Sequence, residues 1–269
     1  MFLAALHLFP IKSCKGLSLN ELPIEEKGPK WDRRWMITDL KGCFLTQKHC
    51  PMMTFIQAKV CEDHLVVLVP SGEEYRLQIP SRGDPKEVVV WKDLCFALDM
   101  GDEIAKVLSS FLETECRLVF MPESSKRFVN AKYSTHPHEY GFADSGPIVL
   151  ISESSLEDLN SRLETQVTMQ RFRPNLEVQG CAPYEEDTWK KIQIGKIVFD
   201  VVKATSRCAR INIDPHTGVQ GVEPLQTLST YRKGEKGIFF GQMLIPQNQG
   251  ILKKGDLLTV LERQPSLVF

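Results

Sequence analysis

Short runs of β-branched and aromatic residues, separated by turn residues, dominate the first hundred positions of the chain. Two hairpins are predicted, one joining Trp35–Thr38 to Cys43–Thr46 and one joining Glu87–Trp91 to Cys95–Leu98. Further predicted strands are Phe55–Val60, Leu65–Val69 and Tyr75–Ile79. The apolar residues that open the chain predict a buried first strand. Strands spaced this closely favour an antiparallel barrel or sandwich.

Helical periodicity is confined to three short segments. Asp102 is predicted to cap the first helix. The apolar face of that helix consists of Ile104, Val107, Leu108 and Phe111. Ser154 and Glu157 form a capping-box pattern at the start of a second helix. Pro224 suits the first turn of a third.

Residues 122–146 are polar and turn-rich, and a loop of that length in a compact chain is usually functional or disordered. We place a domain boundary there, with one domain at residues 1–120 and a second at residues 121–269. Strands resume at Ile192–Lys203, Ala209–Ile213, Ile238–Ile245 and Leu257–Leu261. The pattern therefore predicts a β-rich α+β protein.

Composition narrows the range of functions. The net charge of −1 predicts no nucleic-acid partner, because that binding needs clustered Lys and Arg. The 8 cysteines include no C-x-x-C pair, which disfavours zinc ribbons and redox pairs and fits a reduced, cytoplasmic protein. The apolar start is far shorter than the ~20 residues needed to span a bilayer, so no membrane segment is expected.

Cys208 lies in the segment with the strongest chemical signal. If Ala209–Ile213 is a strand, Cys208 and Arg210 share its polar face. Arg207 and Arg210 then flank the cysteine, and cationic neighbours favour the thiolate that binds metals. The alternative is a small buried cysteine with no chemical role.

Two early segments combine cations with small polar residues. Lys12 and Ser13 can hold an anion through a charge and a hydroxyl, although no Walker spacing is present. Arg33 and Arg34 enter a predicted strand side by side, so one can reach a cleft while the other stays in solvent. The alternatives are a solvated loop after a strand and a surface ion pair with Asp32.

Arg173 and Asn175 form a third polar pair. Pro174 holds the backbone of Arg173 extended, so the two side chains share a face. A guanidinium beside an amide suits a phosphate or a polar heterocycle. The alternative is a polar strand edge.

His136 and His138 invite a metal interpretation, but no carboxylate or cysteine set accompanies them, and we interpret them as structural or solvent-exposed loop residues. Cys181 and Cys208 could form a redox couple, yet nothing in the sequence brings them together.

Six motifs in a fixed order carry a resemblance along most of the chain. They are FPIKSCKG (9–16), WDRRWM (31–36), FADSGPIVLISESSLEDLNSRLE (142–164), RFRPNLEVQGCAPYEEDTW (171–189), SRCARINIDPHTGV (206–219) and FGQMLIPQNQGILKKGD (240–256). This order resembles the MOSC proteins that carry an N-terminal MOSC_N region, and among them the amidoxime-reducing component (mARC) family of molybdenum enzymes.

The resemblance implies a MOSC β-barrel domain, an N-terminal β-rich MOSC_N domain, and molybdenum held by a single pyranopterin dithiolene (molybdopterin). Cys208 matches the family cysteine that binds the metal, and we take it as the catalytic residue. The matching cofactor-binding positions are Lys12, Ser13, Arg33, Arg34, Ser145, Ser152, Arg173, Asn175, Ser206 and Cys208. A soft thiolate suits a metal already bound by dithiolene sulfur.

The resemblance also implies a reaction and partners. The expected reaction is two-electron reduction of small N-hydroxylated compounds, such as amidoximes, hydroxylamines and N-oxides. Electrons are expected from a separate protein similar to cytochrome b5, a ferredoxin or a flavoprotein reductase, since no cluster-binding cysteines follow residue 256. Vertebrate relatives carry a mitochondrial targeting segment, whereas nine residues precede Pro10 here, so a cytoplasmic protein is expected.

Two other functions fit the same residues. Cys208 could carry a persulfide in a sulfur-transfer protein, or the cavity could bind the pterin cofactor and hand it on as a carrier. The cationic shell favours cofactor binding over simple persulfide transport.

Overall fold

The computed structural model describes residues 1–134 and 136–268. Its strands are β1 (Phe2–Leu8), β2 (Leu17–Leu19), β3 (Glu21–Glu25), β4 (Gly28–Pro29), β5 (Trp35–Thr38), β6 (Gln57–Cys61), β7 (His64–Leu68), β8 (Glu74–Gln78), β9 (Lys86–Val90), β10 (Asp93–Asp99), β11 (Arg117–Phe120), β12 (Ile148–Ser152), β13 (Leu176–Gln179), β14 (Trp189–Ile194), β15 (Ile197–Arg207), β16 (Lys233–Gly234), β17 (Gly237–Pro246), β18 (Gly250–Lys253) and β19 (Leu258–Arg263).

The helices are few and short, as the periodicity predicts. They are α1 (Asp102–Leu112), α2 (Glu153–Asn160) and α3 (Leu225–Tyr231). Short 3-10 turns occur at Pro51–Phe55, Ala131–Tyr133, Met169–Arg171, Glu185–Thr188 and Ala209–Asn212. No helix in the described part of the chain is long and apolar enough to cross a membrane.

The largest sheet runs in the order β19-β14-β15-β17-β12-β13-β1-β2, with β16 paired to β17. It curls into a half-barrel. A single bridge between Phe2 and Leu257 links the region of β1 to the start of β19. Trp189 and Phe199 are fully buried in the apolar interior of this sheet. The predicted β-rich α+β fold is therefore confirmed.

Three smaller sheets complete the chain, in the orders β5-β11-β10-β9, β18-β3-β4 and β6-β7-β8. Helix α1 packs its predicted apolar face, including Ile104 and Leu108, into a second core with Trp35 and Leu65. The predicted hairpin of β9 and β10 is confirmed by their antiparallel pairing.

The N-terminal strands are shared with the C-terminal half of the chain. Strand β1 pairs antiparallel with β13, and β3 pairs antiparallel with β18. The loop that follows β1 is thereby held against residues far along the sequence. The boundary near residue 120 stays a prediction.

Three local predictions are wrong. The strand predicted at Cys43–Thr46 is reduced to two isolated bridges, Phe44 to Thr38 and Cys43 to Val89, because Ile11 already occupies the same edge of β5 at Trp35. Ser152, rather than Ser154, caps α2 by accepting a hydrogen bond from the backbone of Ser155. Gly101, rather than Asp102, precedes α1 as its cap.

A buried carboxylate joins the two halves. Asp32 accepts hydrogen bonds from the backbone N–H of Phe9 and from Nδ2 of Asn175, each at 3.0 Å, and pairs with Arg33. Burial raises the pKa of Asp32, and the charge of Arg33 opposes that rise. The segment before β5 is thus fixed to the ends of β1 and β13.

We expect Asp32→Ala to lower the free energy of unfolding by about 3–5 kcal/mol, because it leaves Arg33 buried without its carboxylate. Denaturant unfolding measures the change. Asp102→Ala is the control, since its largely exposed carboxylate pairs with Arg117 at the surface and its loss has a small effect. Equal destabilisation by the two substitutions would contradict the structural role of Asp32.

Candidate functional site

A cavity of about 320 Å³ opens where several distant segments meet. They are the loop after β1, the turn before β5, the loops before β12 and β13, and the end of β15. The sequence-predicted residues that line it are Lys12, Ser13, Arg33, Ser145, Arg173, Asn175, Ser206 and Cys208. The fold brings these eight together across nearly 200 positions of sequence.

Two predicted residues lie outside this cavity. The Arg34 guanidinium donates to the carbonyl oxygen of Met121 at 2.6 Å and pairs with Glu123 at 2.8 Å. Ser152 is fully buried, and its hydroxyl bonds to the Glu186 carboxylate while it caps α2. Both side chains have structural partners in the fold.

Cys208 directly follows β15, at the cavity wall, and its side chain is exposed. The predicted strand after it is wrong, because Ala209–Asn212 forms a 3-10 turn. Strand β17, which pairs with β15 as far as Arg207, offers no further partner there, so the turn satisfies its own N–H groups. Arg207 and Arg210 still line the cavity beside the cysteine.

Lys12, Asp144 and Arg210 form a charged group on one wall. Lys12 donates to the carbonyl oxygen of Phe142 at 2.8 Å and pairs with Asp144, which also pairs with Arg210 at 3.0 Å. Burial lowers the pKa of Lys12 to about 8, although Asp144 opposes the effect. Burial alone would raise the pKa of Asp144, but Lys12 and Arg210 hold it well below its usual range.

Two arginines of the cavity lining stack on the ring of Phe9. The guanidinium carbons of Arg33 and Arg173 lie 4.3 and 4.2 Å from the ring centroid. Arg33 donates to Oδ1 of Asn175 at 3.0 Å and to the carbonyl oxygen of Arg173 at 3.1 Å. Burial, with the nearby charge of Arg33, lowers the pKa of Arg173 to about 9.

Positive charge is in excess around the cavity. Burial, with the nearby charge of Arg210, lowers the pKa of Arg207 to about 9. The Arg207 guanidinium donates to the carbonyl oxygens of Phe172 and Phe240. The cations of the lining are Lys12, Arg33, Arg173, Arg207 and Arg210. Within the described residues, the carboxylates that pair with these five are Asp32 and Asp144. An anionic ligand would restore the balance.

Several buried polar atoms of the lining have no hydrogen-bond partner among the described residues. They are Ser13 Oγ, Arg173 Nη2, Thr205 Oγ1, Arg207 Nη2 and Arg210 Nε. Buried donors are rarely left unpaired in a native fold unless a ligand or water satisfies them. The cavity therefore has the donor set of a site for a polar anion.

The backbone of the site is strained. Ser13, Arg33, Trp91 and Arg173 line the cavity and have positive φ angles between 48° and 67°. Residues other than glycine rarely adopt this conformation, and such strain is concentrated at ligand-binding sites. For Arg173 it also contradicts the extended backbone that Pro174 predicted.

No cluster of three or more His, Cys, Asp or Glu side chains that could hold a metal ion occurs in the part of the chain that the structure describes. His138 is half-buried, and burial lowers its pKa. Cys181 lies near Ser154, at 3.9 Å, and does not line the cavity. Cys208 is the cysteine among the described residues that line this cavity, and its thiol is exposed.

Asp144 and Trp91 are among the lining residues that the sequence analysis does not single out. Asp144 directly precedes Ser145 in a motif already singled out, so its position was available as a signal. The sequence pattern places Trp91 only at the end of a predicted strand, and nothing in its neighbours indicates contact with Asp144, 53 positions away.

Comparisons with known proteins agree with the order of the motifs. A family model described as the MOSC N-terminal beta barrel domain matches residues 1–115, and one described as the MOSC domain matches residues 137–259. Mouse mitochondrial amidoxime-reducing component 1 is 34% identical, over 96% of this chain and 82% of its own length.

The human protein of the same name is 32% identical over the same shares of the two chains. A rice molybdenum cofactor sulfurase is 31% identical over 97% of this chain but only 34% of its own length. The two family models together span most of the sequence. The chain therefore belongs to the MOSC family, with a MOSC_N domain preceding its MOSC domain.

Proposed function

We propose that this protein is a molybdenum-cofactor oxidoreductase that reduces N-hydroxylated compounds by two-electron oxygen removal. The observation that carries the proposal is a cavity with excess buried positive charge and unpaired donors around one accessible cysteine. Relatives named amidoxime-reducing component support the same reaction class.

The residues present fit a pyranopterin that carries phosphate. Arg33, Arg173 and Lys12 supply fixed positive charge for the phosphate, and the free hydroxyl of Ser13 adds a donor. The further predicted contacts are Ser145, Asn175 and Ser206. Arg34 and Ser152 act in this proposal through the fold, by holding the segments that border the cavity.

Cys208 would be the protein ligand of the metal. When bound, the cofactor would supply the two-electron oxygen-removal chemistry that side chains cannot perform. The chain itself would bind and orient the cofactor, and Arg207 and Arg210 place positive charge beside Cys208 in the cavity lining. Electrons are expected from a separate donor protein.

A persulfide sulfur-transfer protein or a cofactor carrier is the second candidate. The similarity to a protein named molybdenum cofactor sulfurase favours the sulfur-transfer function. Both alternatives use Cys208 or the cationic shell, so cofactor loading and turnover must be measured separately.

Cys208→Ala is expected to reduce bound molybdenum by at least about tenfold in protein purified from a host that makes the cofactor, because it removes the metal ligand. Metal analysis measures the stoichiometry. Cys181→Ala is the matched control, as a free cysteine outside the cavity, and should keep wild-type metal. Full metal content in Cys208→Ala would contradict the assignment of Cys208 as the metal ligand.

The loaded wild-type protein is expected to reduce benzamidoxime with a chemical electron donor, measured as formation of benzamidine. A protein that holds stoichiometric molybdenum and gives no benzamidine would favour the carrier. Persulfide on Cys208 without bound molybdenum would favour sulfur transfer.

Anion binding should depend on pH through Lys12. The ammonium attracts an anion only while protonated, and its pKa of about 8 means that the charge is lost as pH rises through that value. Affinity of the cofactor-free protein for sulfate should fall about fourfold between about pH 7 and about pH 8.5. Calorimetric titration measures it.

Lys12→Gln should bind sulfate weakly and lose this pH step. Lys15→Gln, which removes an exposed charge from the same loop, should keep it. The pH range of the titration ends below about 9, because burial lowers the pKa of Arg173 and of Arg207 to about that value and their titration would add to the effect. An unchanged pH step in Lys12→Gln would show that another group is responsible.

A further inference from the structure

Trp91 lies at the tip of the hairpin formed by β9 and β10, at the rim of the cavity that holds Cys208. It is 60% exposed, which is unusual for the largest apolar side chain. The indole Nε1 donates to Oδ1 of Asp144 at 3.1 Å. One end of the ring is thereby fixed to the charged wall of the cavity.

A second contact supports the ring from the side. Its centroid lies 5.1 Å from that of Phe44, at an interplanar angle of 54°. Lys12 Nζ in turn lies 5.3 Å from the centre of the Phe44 ring. The indole is held in place by these contacts while most of its surface stays open to solvent.

The fold itself does not require tryptophan here. The φ of Trp91 is 58°, a conformation that glycine or asparagine adopts at lower cost in a hairpin turn. Leu94, on the same hairpin, is equally exposed and does not line the cavity. A strained, exposed and anchored indole at the mouth of a cavity is explained by a ligand that covers it.

We propose that Trp91 is a specificity-determining residue that binds a flat aromatic group of the substrate at the cavity mouth. The inference rests on the proposed function and deepens it, since it names N-hydroxylated compounds that carry an aromatic ring as the substrate class. Offset or edge-to-face packing on the indole holds the arene while its N–O group points towards Cys208. The excess positive charge inside favours neutral or anionic arenes over cationic ones.

The test compares two probes of the same chemistry, benzamidoxime and acetamidoxime, which differ in the aromatic ring. Binding to the cofactor-loaded protein is measured by calorimetry without an electron donor, so that no turnover occurs. Trp91→Ala should weaken benzamidoxime binding about three- to tenfold and leave acetamidoxime binding within about twofold. Trp91→Phe, which keeps an aromatic ring, should retain most of the preference, and Leu94→Ala should retain all of it.

Equal affinity of the wild-type protein for the two amidoximes would overturn the inference, and so would an aromatic preference that survives Trp91→Ala. No measurable binding of benzamidoxime to the wild-type protein would overturn it as well. Failure of the proposed function is a separate outcome, because it appears as absence of benzamidine when electrons are supplied. A protein that binds benzamidoxime through Trp91 and never reduces it keeps the inference and loses the function.

Discussion

The burial of positive charge around one cavity is the main physical constraint on this structure. Five cations line one cavity, and Asp32 and Asp144 are the carboxylates paired with them among the described residues. Taking such charges out of water is costly, so each is bound to backbone carbonyls, aromatic faces or a carboxylate. The pKa values of Lys12, Arg173 and Arg207 are lowered because these contacts do not fully offset the desolvation of the three charges. A polar anion bound in the cavity would offset this remaining cost.

Local sequence patterns predict an element well where its contacts are with residues close in sequence. The β9–β10 hairpin and the apolar face of α1 depend on residues close in sequence, and both are confirmed. The segment after Cys208 was predicted as a strand because Ile211 and Ile213 alternate with polar residues. The pairing of β17 ends too early to extend the sheet there, and that limit is set by chain more than 20 positions away.

The candidate site could be predicted in part. Residue type and motif order selected eight residues that do line one cavity, and β1–β13 pairing is what brings their loops together. Strand alternation could not decide between Arg33 and Arg34, because Arg33 has a positive φ and is not part of a strand. Trp91 and Asp144 interact across 53 positions, and no local pattern encodes such a contact.

The pairing of β1 with β13 also determines when, during synthesis of the chain, the cavity can form. His7 and Glu177, whose side chains form a hydrogen bond between these strands, are 170 positions apart, so the first strand leaves the ribosome long before its neighbour is synthesised. The cavity can form only after the segment through Met243, the last residue of its lining, has been synthesised. A ligand that fills this cavity would therefore enter after nearly all of the chain has been synthesised.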